Sequence, residues 1–191
     1  MKIILGTMNF GPQLDLEGSR VMIQSFLKTG FNELDTAYVY NNGDTERYLG
    51  EVLPDMEGYY LATKVHPRIT GKLDRECILM EFNESLKRMN LDKVDLLYFH
   101  FPDGKTPIDE ALETVAELYE QGKVKELGLS NYPAWQVVDI GINVRSMVAR
   151  NRLYIRECIM PYVAMWSLNC FLQSVLWVCA SMLSIRWLVV C

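Results

Sequence analysis

Apolar and polar positions along the chain follow two alternating rhythms. Short apolar runs at 3–7, 34–37, 59–63, 94–99 and 126–130 are each followed by a longer segment with apolar positions every three or four residues. The short runs predict five strands. The longer segments predict helices over 17–29, from Asp44 as N-cap to just before Pro54, over 74–89, over 107–121 with Gly122 as its stop, and from 133 to 140. In the first helix the predicted buried face is Met22, Ser25, Phe26 and Thr29. In the third it is Ile78, Phe82, Leu86 and Met89, with a Glu84–Arg88 pair outside. In the fourth, Ala111, Leu112, Val115, Leu118 and Tyr119 point inward.

Strand–helix units that repeat in this way imply a parallel sheet with right-handed crossovers, an α/β fold. The run 94–99 is almost unbroken in its apolarity, as a parallel strand covered on both faces should be. Two architectures compete, an open doubly wound sheet and a (β/α)8 TIM barrel. No Gly-x-Gly-x-x-Gly follows the first strand, which weakens the open dinucleotide-binding sheet. The barrel is favoured by where polar residues fall: Asp35, Lys64, His100 and Ser130–Asn131 all lie at or just past the carboxyl ends of successive strands. Barrel enzymes assemble their sites on that face.

Composition changes the picture in one place. The 191 residues are half hydrophobic and 23% charged, as in an ordinary globular protein, with net charge −5. From Asn143 onward, however, five arginines face a single acid, Glu157, so the first 142 residues carry −9. Four of five cysteines and three of four tryptophans also fall in that last part. The chain is therefore expected to divide into a body, 1–140, and a divergent hydrophobic tail, 141–191. The body has one cysteine, Cys77, and no charged segment followed by an apolar run opens the chain. A reducing, cytoplasmic setting is expected, without a secretory signal. An acidic body without basic runs argues against nucleic acid as a partner. With two histidines and one body cysteine, no metal site is expected.

The strand-end residues suggest a chemistry. An unpaired carboxylate at a buried strand end is costly, so Asp35 calls for a cation, and Lys64 at the next strand end is the natural one. Tyrosine is a poor proton donor at neutral pH unless its phenolate is stabilised, which a lysine ammonium held by a carboxylate can do. Tyr40, across the loop after Asp35, completes such a relay, and His100 could orient a carbonyl or share the proton. Together they suit proton delivery to a forming alkoxide, half of a carbonyl reduction. The hydride would then come from a nicotinamide. Taken singly each residue has a plainer reading: Asp35–Lys64 a structural ion pair, Tyr40 a packed aromatic, His100 a core histidine, His66 a rim residue. Gly128-Leu129-Ser130-Asn131 lacks the Gly-x-Ser-x-Gly spacing of a serine hydrolase.

The same residues carry a resemblance. Leu5-Gly6-Thr7-Met8, Glu33-Leu34-Asp35-Thr36-Ala37 with Tyr40, Ala62-Thr63-Lys64, Val94-Asp95-Leu96-Leu97-Tyr98-Phe99-His100 and Glu126-Leu127-Gly128-Leu129-Ser130-Asn131-Tyr132 are similar to motifs of the aldo-keto reductase superfamily. Pro102–Asp103 and the phrase around Leu127–Tyr132 most resemble its aflatoxin B1 aldehyde reductase branch. The resemblance implies a TIM barrel and NADPH-dependent reduction of aldehydes and some ketones, with a small-molecule aldehyde as substrate. It implies Tyr40 as proton donor, Lys64 as the residue that eases its ionisation, Asp35 supporting Lys64 near the nicotinamide ribose, and His100 orienting the substrate carbonyl. Ser130 and Asn131 would bind the carboxamide, and Met8 would line the cofactor cleft.

The resemblance spans residues 1 to about 140 and implies a partial barrel of five strand–helix units. Between Cys158 and Ile185 lie 28 residues without a charge, long enough to span a bilayer, but serines, Asn169 and Gln173 dilute the apolar signal. A non-homologous end is the expectation rather than a membrane anchor. A chain with five of eight strands would be a truncated isoform. It would be either still active or catalytically incomplete, pairing with another copy or with a full-length reductase.

Overall fold

The structure is a computed structural model that describes residues 3–148 and 155–157. Its strands are β1 (Ile4–Gly6), β2 (Glu33–Asp35), β3 (Tyr60–Val65), β4 (Leu96–Phe99), β5 (Glu126–Leu129) and β6 (Ile155–Glu157). All five pairings are parallel, and the strands lie side by side in sequence order. An open doubly wound sheet reverses its order at a switch point, whereas a barrel adds each strand beside the last. Sequential order therefore decides for the barrel, of whose eight strands the described residues form six.

The sheet runs one strand beyond the five expected. β6 pairs with β5, Leu127 opposite Ile155 and Leu129 opposite Glu157. The helix expected over 133–140 continues through the compositional break as Ala134–Val148, with Ile140 and Val144 both in the core. The apolar stretch from Cys158 to Ile185 lies outside the described residues. Among the described residues no helix is long and apolar enough to cross a membrane.

The helices α1 (Leu16–Lys28), α2 (Asp44–Val52), α3 (the single turn Pro67–Thr70), α4 (Arg75–Met89), α5 (Ile108–Glu120) and α6 (Ala134–Val148) connect the strands. Alternation along the strands divides the core. Leu34, Leu61, Val65, Leu97, Phe99, Leu127 and Leu129 join the helices in one large cluster, while Ala62, Leu96 and Tyr98 form a second on the opposite face. The second face is the barrel interior, and Asp35 and Lys64 lie on it by the same alternation.

Three local expectations change. The buried positions of α1 are Ser19 and Ile23, with Phe26 and Leu27 packed against the core; Met22, Ser25 and Thr29 are exposed. The apolar stripe is therefore rotated by one position, with Leu16, Ile23, Phe26 and Leu27 toward the core, and Asp15 caps the helix through Gly18 N–H. Asp44 is not the cap of α2; Gly43, in a left-handed conformation, occupies that place and Asp44 pairs with Arg47 at 2.6 Å. Arg88 is not outside: its side chain is 11% exposed and bonds Glu46 of α2 as well as Glu84.

In the interior, Tyr98 of β4 stands opposite Gly128 of β5. A Cβ on Gly128 would fall 2.2 Å from the Tyr98 ring, so only glycine lets that ring lie flat in its row. Gly128→Ala should lower stability by about 1–3 kcal/mol through overpacking. A urea denaturation midpoint equal to that of the wild type would contradict this packing.

Candidate active site

Register places the first two residues of the site. Asp35 is opposite Ala62, so Lys64, two residues further along β3, lies on the same face and reaches diagonally back. Its Nζ donates to Asp35 Oδ2 at 2.5 Å, to the Thr36 carbonyl at 2.8 Å and to the Tyr40 hydroxyl at 3.4 Å. The pair is well shielded, with side-chain exposures of 6% for Lys64 and 13% for Asp35. Burial alone pulls the Lys64 pKa down, but the Asp35 carboxylate and Tyr40 outweigh it, and the net direction is upward. Lys64 is therefore a retained ammonium. The Tyr98 ring beneath it, 5.6 Å from Nζ, adds a π face.

The loop from Thr36 to Gly43 delivers Tyr40. It leaves the sheet with Tyr38 N–H still donating to the Lys64 carbonyl at 3.1 Å, then enters a 3₁₀ turn at Tyr40–Gly43. Asn41 and Asn42 take left-handed conformations there, which asparagine tolerates better than most residues. Asn41 Nδ2 lies 2.7 Å from the Met8 carbonyl, 3.0 Å from that of Phe10 and 2.8 Å from Thr45 Oγ1. From behind, Arg88 donates to the Tyr38 carbonyl at 3.0 Å and covers the Tyr38 ring at 4.2 Å. Arg88 is itself held by Glu46 at 3.2 Å, a fully buried carboxylate that also accepts from Thr63 Oγ1 at 2.9 Å. Burial raises the pKa of Glu46, against the hydrogen bonds and charge of its partners. Asn41, Arg88 and Glu46 thus fix the loop that carries Tyr40. The sequence pattern singled out neither Asn41 nor Glu46, and it placed Arg88 only beside Glu84.

His100 closes the other side. Its ring meets that of Tyr40 edge-on, with centroids 5.9 Å apart. Burial, then the positive Lys64 and the neighbouring His66, push its pKa down to about 3, so its imidazole is neutral at physiological pH. Ser130 is buried, and its N–H continues the ladder to the Phe99 carbonyl at 3.0 Å. Asn131 turns into a left-handed conformation, φ 61°, and donates from Nδ2 to the His100 carbonyl at 2.9 Å and to Ser130 Oγ at 3.1 Å. Asp35, Lys64, Tyr40 and His100 are brought together, and Ser130 and Asn131 adjoin His100. Met8 stands apart with its side chain 57% exposed, tied to the loop through its carbonyl.

This arrangement can deliver a proton to an oxygen that gains negative charge. A phenol is the donor, an ammonium stabilises what the phenol leaves, and a neutral imidazole can offer a hydrogen bond without opposing the ammonium.

Comparison with known proteins gives concordant results. The Aldo/keto reductase family profile matches residues 2–154. Aflatoxin B1 aldehyde reductase member 2 of Rattus norvegicus is 39% identical over 141 residues, which are 72% of this chain and 38% of that protein. Norsolorinic acid reductase A of Aspergillus parasiticus is 31% identical over 158 residues, 71% of this chain and 40% of that one. Among solved structures, a thermostable aldo-keto reductase in complex with the inhibitor epalrestat superposes with a TM-score of 0.62 at 31% identity, covering 68% of this chain and 49% of the other. The chain spans about two-fifths of the length of these curated relatives.

The depressed His100 pKa has a stability consequence. Its contribution is present above the unfolded histidine value, about 6.5, and is lost as pH falls from there toward 3. The urea midpoint of the wild type should fall more steeply between pH 6 and 4 than that of His100→Gln. Parallel curves for the two proteins would show that His100 is not held neutral by its surroundings.

Proposed function

The chain belongs to the Aldo/keto reductase family, and from that premise we propose that it reduces aldehydes, and some ketones, to alcohols with NADPH. The observation that carries this reading is the Lys64 ammonium within hydrogen-bonding distance of both the Asp35 carboxylate and the Tyr40 hydroxyl, with His100 against Tyr40. The aldehyde class is supported by the name of the relative called aflatoxin B1 aldehyde reductase.

The residues at the carboxyl edge of the sheet suit the nicotinamide end of the cofactor by their donor chemistry. Ser130 Oγ accepts from Asn131, which leaves its own proton for a carboxamide oxygen, and Asn131 keeps a carbonyl for the carboxamide nitrogen. Asp35 would lie near the ribose, and the exposed Met8 would line the cleft. Bound NADPH supplies a hydride to the carbonyl carbon. The chain's own residues do the rest. Tyr40 OH and the neutral His100 hydrogen-bond the carbonyl oxygen and aim it. As charge builds on that oxygen, Tyr40 transfers its proton there, and the Lys64 ammonium stabilises the phenolate that remains. Asp35 keeps the ammonium charged and in place. The alcohol leaves, and the phenolate regains a proton from solvent.

Tyr40→Phe should lower NADPH oxidation with 4-nitrobenzaldehyde by at least about 100-fold, the usual contribution of a positioned general acid. Turnover equal to wild type in that variant, or none in the wild type, would remove the proposal.

A further inference from the structure

A second buried carboxylate lies behind the active-site end of β3, and the chemistry above does not use it. Glu81 of α4 is 1% exposed. Its Oε2 accepts the backbone N–H of His66 at 2.7 Å, and its Oε1 has no hydrogen-bond partner among the described residues. His66 follows Lys64 by two residues and caps α3. Its Nδ1 accepts the Arg68 N–H at 2.8 Å, so its ring is held as well as its backbone. The ring so fixed meets His100 edge-on, centroids 4.8 Å apart and planes at 68°, and stacks on Phe101 at 6.1 Å. An unbroken line of contacts therefore runs from a carboxylate in the helical layer to the imidazole at the strand ends.

We propose that Glu81 is a positioning residue for His100: its carboxylate pins the His66 amide, and the His66 ring transmits that constraint to the imidazole that receives the carbonyl oxygen. The inference rests on the role given to His100 above. No other described group accepts the His66 N–H, so without Glu81 that partly buried donor loses its partner and the chain is free to shift where it leaves β3.

The constraint has a pH dependence built into it. The charged and titratable groups facing Glu81 are Glu46 from α2, Arg88 on its own helix and His66 at the end of β3. Burial raises its pKa to about 7; the His66 N–H and Arg88 oppose the rise and Glu46 reinforces it. The carboxyl thus titrates in the neutral range. Ionised, it forms the stronger, charge-assisted bond to His66. Yet the sign for stability is opposite: a raised pKa favours the fold below the ordinary glutamate value, and that contribution is lost as pH rises toward 7. The state that grips His66 hardest is the one burial disfavours.

Nuclear magnetic resonance of the full chain, with 15N backbone and 13C histidine labels, tests this without requiring turnover. The His66 amide and the His100 ring resonances should share an inflection near pH 7. The pKa values of both histidines are lowered from the ordinary histidine value, that of His100 to about 3, so their own ionisation falls below the Glu81 inflection. Glu81→Gln, which keeps an acceptor but cannot ionise, should remove the inflection from both and leave the His66 amide protected from exchange. Glu81→Leu should lower that protection roughly tenfold or more and shift the His100 ring resonances. Persistence of the inflection in Glu81→Gln overturns the proposal. So does a His100 ring signal in Glu81→Leu identical to wild type while the His66 amide changes. If Glu81→Leu does not fold, the Glu81→Gln comparison decides alone. Absence of NADPH oxidation would count against the reductase reading but leave these signals in place, so the two failures are distinct.

Discussion

Everything at the carboxyl edge of this sheet is arranged around one buried ammonium. Lys64 Nζ holds three oxygens from a single stretch of chain: the Asp35 carboxylate, the Thr36 carbonyl and the Tyr40 hydroxyl. Desolvation disfavours an ammonium at that depth, but the Asp35 carboxylate and Tyr40 outweigh it, and Lys64 keeps its charge. The same contacts tie the end of β2 to the end of β3, so the electrostatics that suit proton transfer also close the local structure. Removing either partner strands the other, which is why such a pair is hard to replace piecemeal.

Around that centre, charge is graded. His100 is kept neutral by burial and by the positive charge of Lys64, while the buried carboxylates Glu46 and Glu81 lie in the helical layer. Glu46 is matched by Arg88, which also grips the backbone of the loop that carries Tyr40. Among the described residues, Glu81 is hydrogen-bonded by the His66 backbone amide, with the charge of Arg88 acting on it as well. Among the described residues, the carboxyl edge of the sheet thus sets the Lys64 ammonium beside the Tyr40 phenol and the neutral His100 imidazole. Glu81 accepts a main-chain amide directly, and Glu46 holds Arg88, which donates to the Tyr38 carbonyl.

Much of this was legible in the chain itself. Parallel strands that alternate with amphipathic helices have a strong periodic signal, and polar residues at four successive strand ends mark a functional face whatever the family. Asp35, Lys64, Tyr40 and His100 could be named because charged and titratable groups stand out against apolar runs. The supporting network could not. Arg88 looked like an outward partner of Glu84 because helical spacing reports neighbours on the same helix and is silent about α2 packing across it. Asn41 acts through a left-handed turn whose side-chain contacts depend on where β1 ends. In α1, Ile23 and not Met22 faces the core, because the packing partners of the helix, which decide the buried face, are remote in sequence. β6 is three residues long within an arginine-rich stretch and offers no periodicity to read.

The central claim is that Lys64 and Asp35 act as one unit. A double-mutant cycle measures that directly: urea unfolding of the wild type, Asp35→Asn, Lys64→Met and the double variant. The two single substitutions should each destabilise, and the double variant should be less destabilised than their sum by at least about 1 kcal/mol, as expected for groups in direct contact. Additivity to within about 0.3 kcal/mol, the behaviour of independent sites, would contradict the account.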